Sequence, residues 1–364
     1  MIKKKKARAG VLEDPRRFSI REFDVPQVGE DDVLLEVEMC TICGSDLPIY
    51  KGLNPGAKYP IILGHELMGR IADMGSKAKD YYQLEIGDRV IFGGSDGCGA
   101  CRLCREGNSR LCQVKKRSST LSCLEYPHLF GGLSEYMYIQ KGRHLHKVSE
   151  EVPAEAGCMG NNVGNGIYYT QFRGKVKKGY AVVISGVGGQ GLGCVIGAKD
   201  VGAYPIIVTG LGWDRIRFEF AKKLGADYAI DVEKEDPVEK VKAFTNGEWA
   251  DVVVETSGHP QALKQAMHYV RPTGTVTLVG LNWGNLPTDG TLVNEVIHKA
   301  LNVYGALGPR KPAMERAAQI ISSRKFPIEE FITHKFTLSQ LEEAFQTFDE
   351  KKGECIKVGI EPWK

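Results

Sequence analysis

The sequence predicts an α/β protein in two parts: a mostly β first domain and a second domain built on a doubly wound parallel sheet. Three observations carry that prediction. Up to about residue 150 the chain runs in short alternating apolar stretches separated by glycine turns. From about residue 180 to 304, strand-like and helix-like stretches alternate at the spacing of βαβ units. A glycine turn, Gly186-Val187-Gly188-Gly189-Gln190-Gly191, joins the first of those strands to the helix behind it.

In the first part, VLLEVEM, GRIADMG, DRVIFGG and SEYMYI read as short strands of an antiparallel barrel. GCMGNNVGNG, from Gly157 to Gly166, reads as a glycine-rich hinge. KKGYAVVISGVGGQG is a buried strand running into a turn, and PIIVTG is the next strand. FEFAKKLGA reads as a helix stopped by glycine. YAIDV, ADVVVETSG and TVTLVGL follow as strands, with the helical HPQALKQAMHYV between the last two. PIEEFITHKFTLSQLEEAFQTFDE ends in a helix, and CIKVGI is a last strand that could return to the first domain. The domains expected are therefore 1–160, carrying a cysteine loop at 98–112 and completed by 305–364, and 161–304.

The composition is 42% apolar and 26% charged, that of a globular protein with a core. A net charge of +3 does not argue for nucleic acid or a membrane surface as partner. The run Lys3 to Lys6 reads as a solvated tail, and no apolar h-region follows it, so no secretory signal is expected. No apolar stretch approaches the roughly 20 residues that span a bilayer. A cytoplasmic protein is expected, and in a reducing compartment closely spaced cysteines point to metal rather than disulfides.

Gly186, Gly188 and Gly191 form G-x-G-x-x-G directly after a strand and at the start of a helix, the context of a dinucleotide site. The first glycine permits the turn, the second admits a pyrophosphate, and the third lets helix and strand pack closely. Val187 and Gly189 complete the turn, and Thr209 near the end of the next strand and Arg215 beyond it are further cofactor-binding candidates. An Asp or Glu about 20 residues on would bind the ribose of NAD. Here Thr209-Gly210-Leu211-Gly212 carries no acid, and Asp214 comes later between Gly212 and the arginines Arg215 and Arg217. A missing acid with arginines nearby would suit the 2′-phosphate of NADP, but Arg215 and Arg217 fit equally as helix-surface residues, so NAD and NADP both stay open.

Cys98, Cys101, Cys104 and Cys112 stand at C-x2-C-x2-C-x7-C, spacings that let four thiolates close on one structural zinc. An iron–sulfur reading fits less well, because the fourth cysteine comes late and no proline follows it. A second set consists of Cys43 in TICGSD and His65 with Glu66 in LGHE. Thiolate, imidazole and carboxylate suit a catalytic zinc that keeps a position open for substrate. Such a zinc is a Lewis acid that lets an alcohol ionise near neutral pH.

CGSD at 43–46, GHE at 64–66, the four-cysteine loop, GGLSEY at 131–136 and the glycine turn occur in one order. In that combination the chain resembles the zinc-dependent medium-chain dehydrogenase/reductase family of alcohol, polyol and threonine dehydrogenases, over nearly its whole length. The resemblance implies a GroES-like catalytic domain and a Rossmann domain with the substrate between them. It implies hydride transfer between an alcohol or carbonyl and NAD or NADP, and a homodimer or homotetramer. It places Cys43, His65 and Glu66 at the catalytic zinc, with Glu66 either binding the ion directly, exchanging with water or standing behind the ligands, Ser45 as the hydroxyl taking the substrate proton, and Asp46 behind His65. Asp46 could equally be a turn cap. Leu47 and Pro48 stand where the family often has a relaying histidine. Counting back from Lys177-Lys178-Gly179, a further anionic ligand would be expected near Asn162. Asn162, or Asn161 beside it, would be a weak ligand there, and Cys158 would serve only after a register change. Pro48, Tyr50 and the loop 117–130 are plausible pocket walls. The alternatives on the same scaffold are a zinc-free NAD(P)H reductase of an activated C=C bond or quinone, and a dinucleotide-sensing protein without enzymatic activity.

Overall fold

The structure, a computed structural model, describes residues 4–93, 97–98, 100–106, 108–114, 121–281, 290–351 and 354–364. Lys3 and positions 117–120 of the expected pocket-wall loop lie outside the described residues. The chain divides into two compact units, Met1–Asn161 with Arg310–Lys364, and Asn162–Pro309.

In the first unit, Lys6–Asp14 and Arg17–Asp24 form an antiparallel hairpin, and Ile61–Ile62 adds a third strand to it. The larger sheet runs Ile332–Thr337, Lys357–Glu361, Val33–Thr41, Glu66–Met74, Arg89–Gly93, His144–Lys147, with Tyr136–Ile139 also paired to Val33–Thr41. Val33–Thr41 is central because its alternate residues Val33, Leu35 and Val37 are fully buried in one apolar cluster. The two sheets are tied through Glu135, whose buried carboxylate accepts from Arg8 N at 3.0 Å and Arg8 Nε at 2.9 Å. CIKVGI does return to this unit: Gly359 pairs with Thr41 and Ile360 with Cys40.

The second unit holds a six-stranded parallel sheet in the order Tyr228–Asp231, Ile206–Gly210, Val182–Ser185, Ala250–Glu255, Val270–Leu278, Asn302–Gly305. This is the 3-2-1-4-5-6 order of a doubly wound fold, with its crevice at the carboxyl ends of the first and fourth strands. Val182–Ser185 is buried at every position, as expected of a strand covered on both faces. The helix Arg215–Leu224 stops at Gly225, whose φ of 110° is left-handed, and Pro237–Phe244 is capped by Asp236 accepting from Val238 N and Glu239 N.

GCMGNNVGNG does hold the boundary between the two units, at Asn161/Asn162, but as helix rather than open chain: Ala154–Gly157 and Gly160–Ile167 are helical, and Tyr168–Arg173 continues as a π-helical turn. Its glycines serve contact. A Cβ on Gly157 would lie 1.8 Å from Met68 Sδ, one on Gly160 2.8 Å from Ile91 Cδ1, and one on Gly166 2.0 Å from the Gly193 carbonyl. Burial against these neighbours overrides the weak helix propensity of glycine.

Candidate active site

The first site begins where Val33–Thr41 ends. Asp46 N donates to the Cys43 carbonyl at 3.0 Å, closing a turn, and Cys43 N donates back to Asp46 Oδ2 at 2.9 Å. The other oxygen, Asp46 Oδ1, lies 3.2 Å from His65 Nδ1. Asp46 is thus both turn cap and orienter of the imidazole, so the two readings of it are one arrangement. A partner on Nδ1 fixes the ring and leaves Nε2, on the Ser45 side, available to a metal. Ser45 Oγ lies 3.3 Å from His65 Nε2 and 3.3 Å from Cys43 Sγ.

Glu66 opens the strand Glu66–Met74 and stands opposite Thr41 in the sheet register. Its Oε2 accepts from Thr41 Oγ1 at 2.8 Å and is paired with Lys357 Nζ. Lys357 also donates to the Ile42 carbonyl at 2.9 Å. Glu66 Oε1 is buried and has no hydrogen-bond partner. Such an atom is costly unless something binds it. Neither Lys357 nor Thr41 was singled out in the sequence. The available signal was a lysine inside the apolar run CIKVGI, because a charge there must be paired if the strand is buried.

One ligand atom each from Cys43, His65 and Glu66 meet within 4.8 Å of one another. Burial disfavours charge on His65, yet Asp46 and Cys43 hold its pKa well above the ordinary imidazole value. Lys357 behaves alike: burial works against its charge, and Glu66 and Cys43 more than restore it. The surroundings therefore favour positive charge. Thiolate, imidazole and a spare carboxylate oxygen fit a zinc ion with an open position. Cys158 does not join this group: it is buried, its Sγ donates to the Glu155 carbonyl at 3.3 Å, and burial pushes its thiol up. Asn161 belongs to the first unit, with Oδ1 3.2 Å from where a Gly93 Cβ would stand. Asn162 opens the second unit, its carbonyl against Gly193. Both side-chain oxygens are buried without a hydrogen-bond partner.

The four cysteines also converge, with one sulfur from each of Cys98, Cys101, Cys104 and Cys112 within 4.8 Å of the others. Cys101 Sγ is 3.4 Å from Cys104 Sγ and 3.9 Å from Cys112 Sγ. The Cys101 amide donates to Cys98 Sγ at 3.3 Å and helps hold that thiol below its usual pKa. Four thiolates at these separations suit a closed tetrahedral zinc site.

In the second unit the glycine turn has the shape its spacing predicts. Gly186 takes φ 99°, and Gly191 packs so closely that a Cβ would lie 1.9 Å from the Gly186 carbonyl. A Cβ on Gly188 would meet nothing within 4 Å, so the open space lies at the N-cap of the helix Gly189–Asp200. An open backbone at a helix N-terminus fits a pyrophosphate. Thr256 Oγ1 braces the turn by donating to the Ser185 carbonyl at 2.9 Å. Val187 is buried within the turn, and Thr209 is buried and donates to Ser185 Oγ at 3.4 Å. Arg215 is exposed, 3.6 Å from Glu219. Asp214 and Arg217 are spent on each other at 2.9 Å, and Asp214 also caps Leu211 N at 3.1 Å.

The family model for the alcohol dehydrogenase GroES-like domain matches residues 29–150, and that for the zinc-binding dehydrogenase matches residues 189–323. The chain is 35% identical over 325 residues to the "Probable alcohol dehydrogenase" of Mycobacterium tuberculosis, covering 88% of each protein. It is 31% identical over 359 residues to the sorbitol dehydrogenase of Bacillus subtilis, covering 98% of this chain and 97% of that one. The crystal structure of an alcohol dehydrogenase from Thermotoga maritima superposes with a TM-score of 0.89 at 25% identity, covering 98% of this chain and 99% of that one.

Proposed function

The chain belongs to the zinc-dependent medium-chain dehydrogenase family, and from that premise we propose that it oxidises a secondary or polyol-like alcohol, or reduces the matching carbonyl, at Cys43, His65 and Glu66. It is an alcohol-acting oxidoreductase of the zinc and nicotinamide type. When bound, the zinc polarises the substrate oxygen and the nicotinamide exchanges the hydride. The chain's own residues do the rest. Cys43, His65 and Glu66 hold the ion. Asp46 keeps His65 Nδ1 occupied, which leaves Nε2 available to the ion. Ser45 Oγ, beside both Cys43 and His65, accepts the substrate's hydroxyl proton. Leu47 and Pro48 cannot relay that proton, so Ser45 passes it to a ribose hydroxyl, to water or to another side chain. The resemblance makes Asn162 a weak further partner of the metal, a role that Asn162→Cys tests through slower chelator removal of zinc. In the same reading Cys98, Cys101, Cys104 and Cys112 hold a structural zinc, and the protein works in the cytoplasm as a homodimer or homotetramer. Among the described residues no helix is long and apolar enough to cross a membrane.

The observation that carries this reading is the convergence of three zinc-type donors with the buried Glu66 Oε1 left free. The zinc-free reductase reading gives those donors no use. The test is metal analysis with a panel of alcohols, polyols and hydroxy amino acids under both cofactors. Two zinc ions per chain, one for each donor group, and chelator-sensitive alcohol oxidation are expected. Full activity in folded, metal-free protein would refute it.

A further inference from the structure

The second strand of the dinucleotide unit ends without the carboxylate that ordinarily reads the ribose 2′-hydroxyl. We propose that Glu233, from the segment after the third strand, supplies that carboxylate and makes the chain select NAD(H) over NADP(H). This rests on the reading that the glycine turn binds a nicotinamide dinucleotide.

The usual place is crowded for an acid. Gly210 ends the second strand, and a Cβ there would lie 2.9 Å from Val187 Cγ2 and 3.0 Å from Phe218 Cε1 and Cζ. Val187 of the glycine turn and the Phe218 ring already occupy the side-chain space. The acid comes instead from the neighbouring strand. Gly210 is the register partner of Asp231, the last residue of the third strand. Two residues on, Glu233 Oε2 accepts from Gly212 N at 2.8 Å. A Cβ on Gly212 would stand 3.0 Å from Asp231 Oδ2 and 3.3 Å from Glu233 Oε2, so both carboxylates lie against the backbone that follows the second strand. That segment is where a doubly wound fold receives the adenosine ribose.

The nearby cations are engaged. Lys234 Nζ lies 2.9 Å from Asp231 Oδ2, Arg217 is held by Asp214 at 2.9 Å, and Arg215 faces Glu219 at 3.6 Å. A carboxylate accepts several hydrogen bonds, so Glu233 can hold the Gly212 amide and still take a ribose hydroxyl. A 2′-phosphate offers little proton to donate and carries nearly two negative charges. Lys234 Nζ would stand 3.6 Å from the same Gly212 Cβ and is balanced by Asp231, so the uncompensated charge that the phosphate meets is that of Glu233. With partial solvent screening, that repulsion amounts to about a tenfold loss of affinity or more.

The test is equilibrium binding of NADH and NADPH to the zinc-loaded protein, followed by the fluorescence of the bound nicotinamide. Wild type is expected to bind NADH at least about tenfold more tightly. Glu233→Gln keeps the acceptor for Gly212 N and removes the charge. It should tighten NADPH and weaken NADH, closing most of that gap, and Glu233→Lys should reverse the order. Glu233 is exposed, so these variants are not expected to disturb the core. NADPH binding as tightly as NADH in wild type overturns the inference, as does a ratio unmoved by either substitution. If neither dinucleotide binds wild type, the dinucleotide reading itself falls.

Discussion

Lys357→Met tests how the candidate metal site is held. The Lys357 and Glu66 side chains are 3% and 0% exposed, so their ion pair is shielded from solvent. Removing the ammonium leaves the Glu66 carboxylate with Thr41 Oγ1 as its remaining hydrogen bond, and the Ile42 carbonyl loses its donor. Breaking one side of a buried pair costs about 3–5 kcal/mol. For a unit of this size that corresponds to a fall of roughly 6–20 °C in unfolding midpoint. The assay is thermal unfolding of chelator-treated and zinc-loaded protein, reading the transition that carries the first unit. The loss should be largest without metal, because zinc would itself compensate the Glu66 charge. Lys357→Met with Glu66→Gln should regain much of the loss, since the stranded charge is gone. An unchanged midpoint in metal-free Lys357→Met would refute the reasoning. So would a double variant no more stable than the single one.

Three further outcomes follow from the same geometry. Gly191→Ala drives a Cβ to 1.9 Å from the Gly186 carbonyl. It should open the turn and weaken NADH binding by about tenfold or more, measured by titration, at a cost typical of overpacking. Cys101→Ser should lower the zinc content by one ion per chain in native mass spectrometry, since Cys101 lies within 4 Å of two other sulfurs. Retention of two ions would refute the closed four-cysteine site. Glu135→Gln gives a pH test. Burial alone would raise the Glu135 carboxyl, but the Arg8 amide, Lys4 and the Arg8 guanidinium hold it below its ordinary 4.5. A depressed carboxyl contributes stability above that ordinary value and loses it as pH falls through the folded one. Wild type should therefore exceed the variant by about 1.5 kcal/mol at pH 7, and the two should converge in acid. A gap that is constant from neutral to acidic pH would refute it.

What could be read in the sequence was what short-range pattern determines. The strand-and-helix alternation of the second unit and the G-x-G-x-x-G turn both appear in the sheet order and in the Gly186 and Gly191 packing. The four cysteines span only fifteen residues, so their meeting needs little more than one loop. The asparagine- and glycine-rich stretch has the composition of a turn yet is helical, because the Met68, Ile91 and Gly193 surfaces that demand glycine there are remote in sequence. Glu233 carries no local signal for a similar reason. It reaches Gly212 across 21 residues, through a register that only the folded sheet provides.

Lys357 is the extreme case, 291 residues from Glu66. The sheet register explains how it arrives. Thr41 faces Glu66 on one side and Gly359 on the other, so the strand Lys357–Glu361 is laid beside the strand that leads to Cys43. The C-terminal segment therefore does more than cover the first unit: it brings the cation that makes a buried Glu66 tolerable. Without Lys357, the Glu66 carboxylate keeps only Thr41 Oγ1 to hold it in place, and a carboxylate that is not held by such partners is a poorer zinc ligand. With it, one carboxylate oxygen is neutralised by the chain and the other is left for the metal. Truncation before residue 357 should accordingly weaken zinc retention at Cys43 and His65 while leaving the four-cysteine site loaded. Loss of both ions together would show that the last strand supports the whole unit rather than this site.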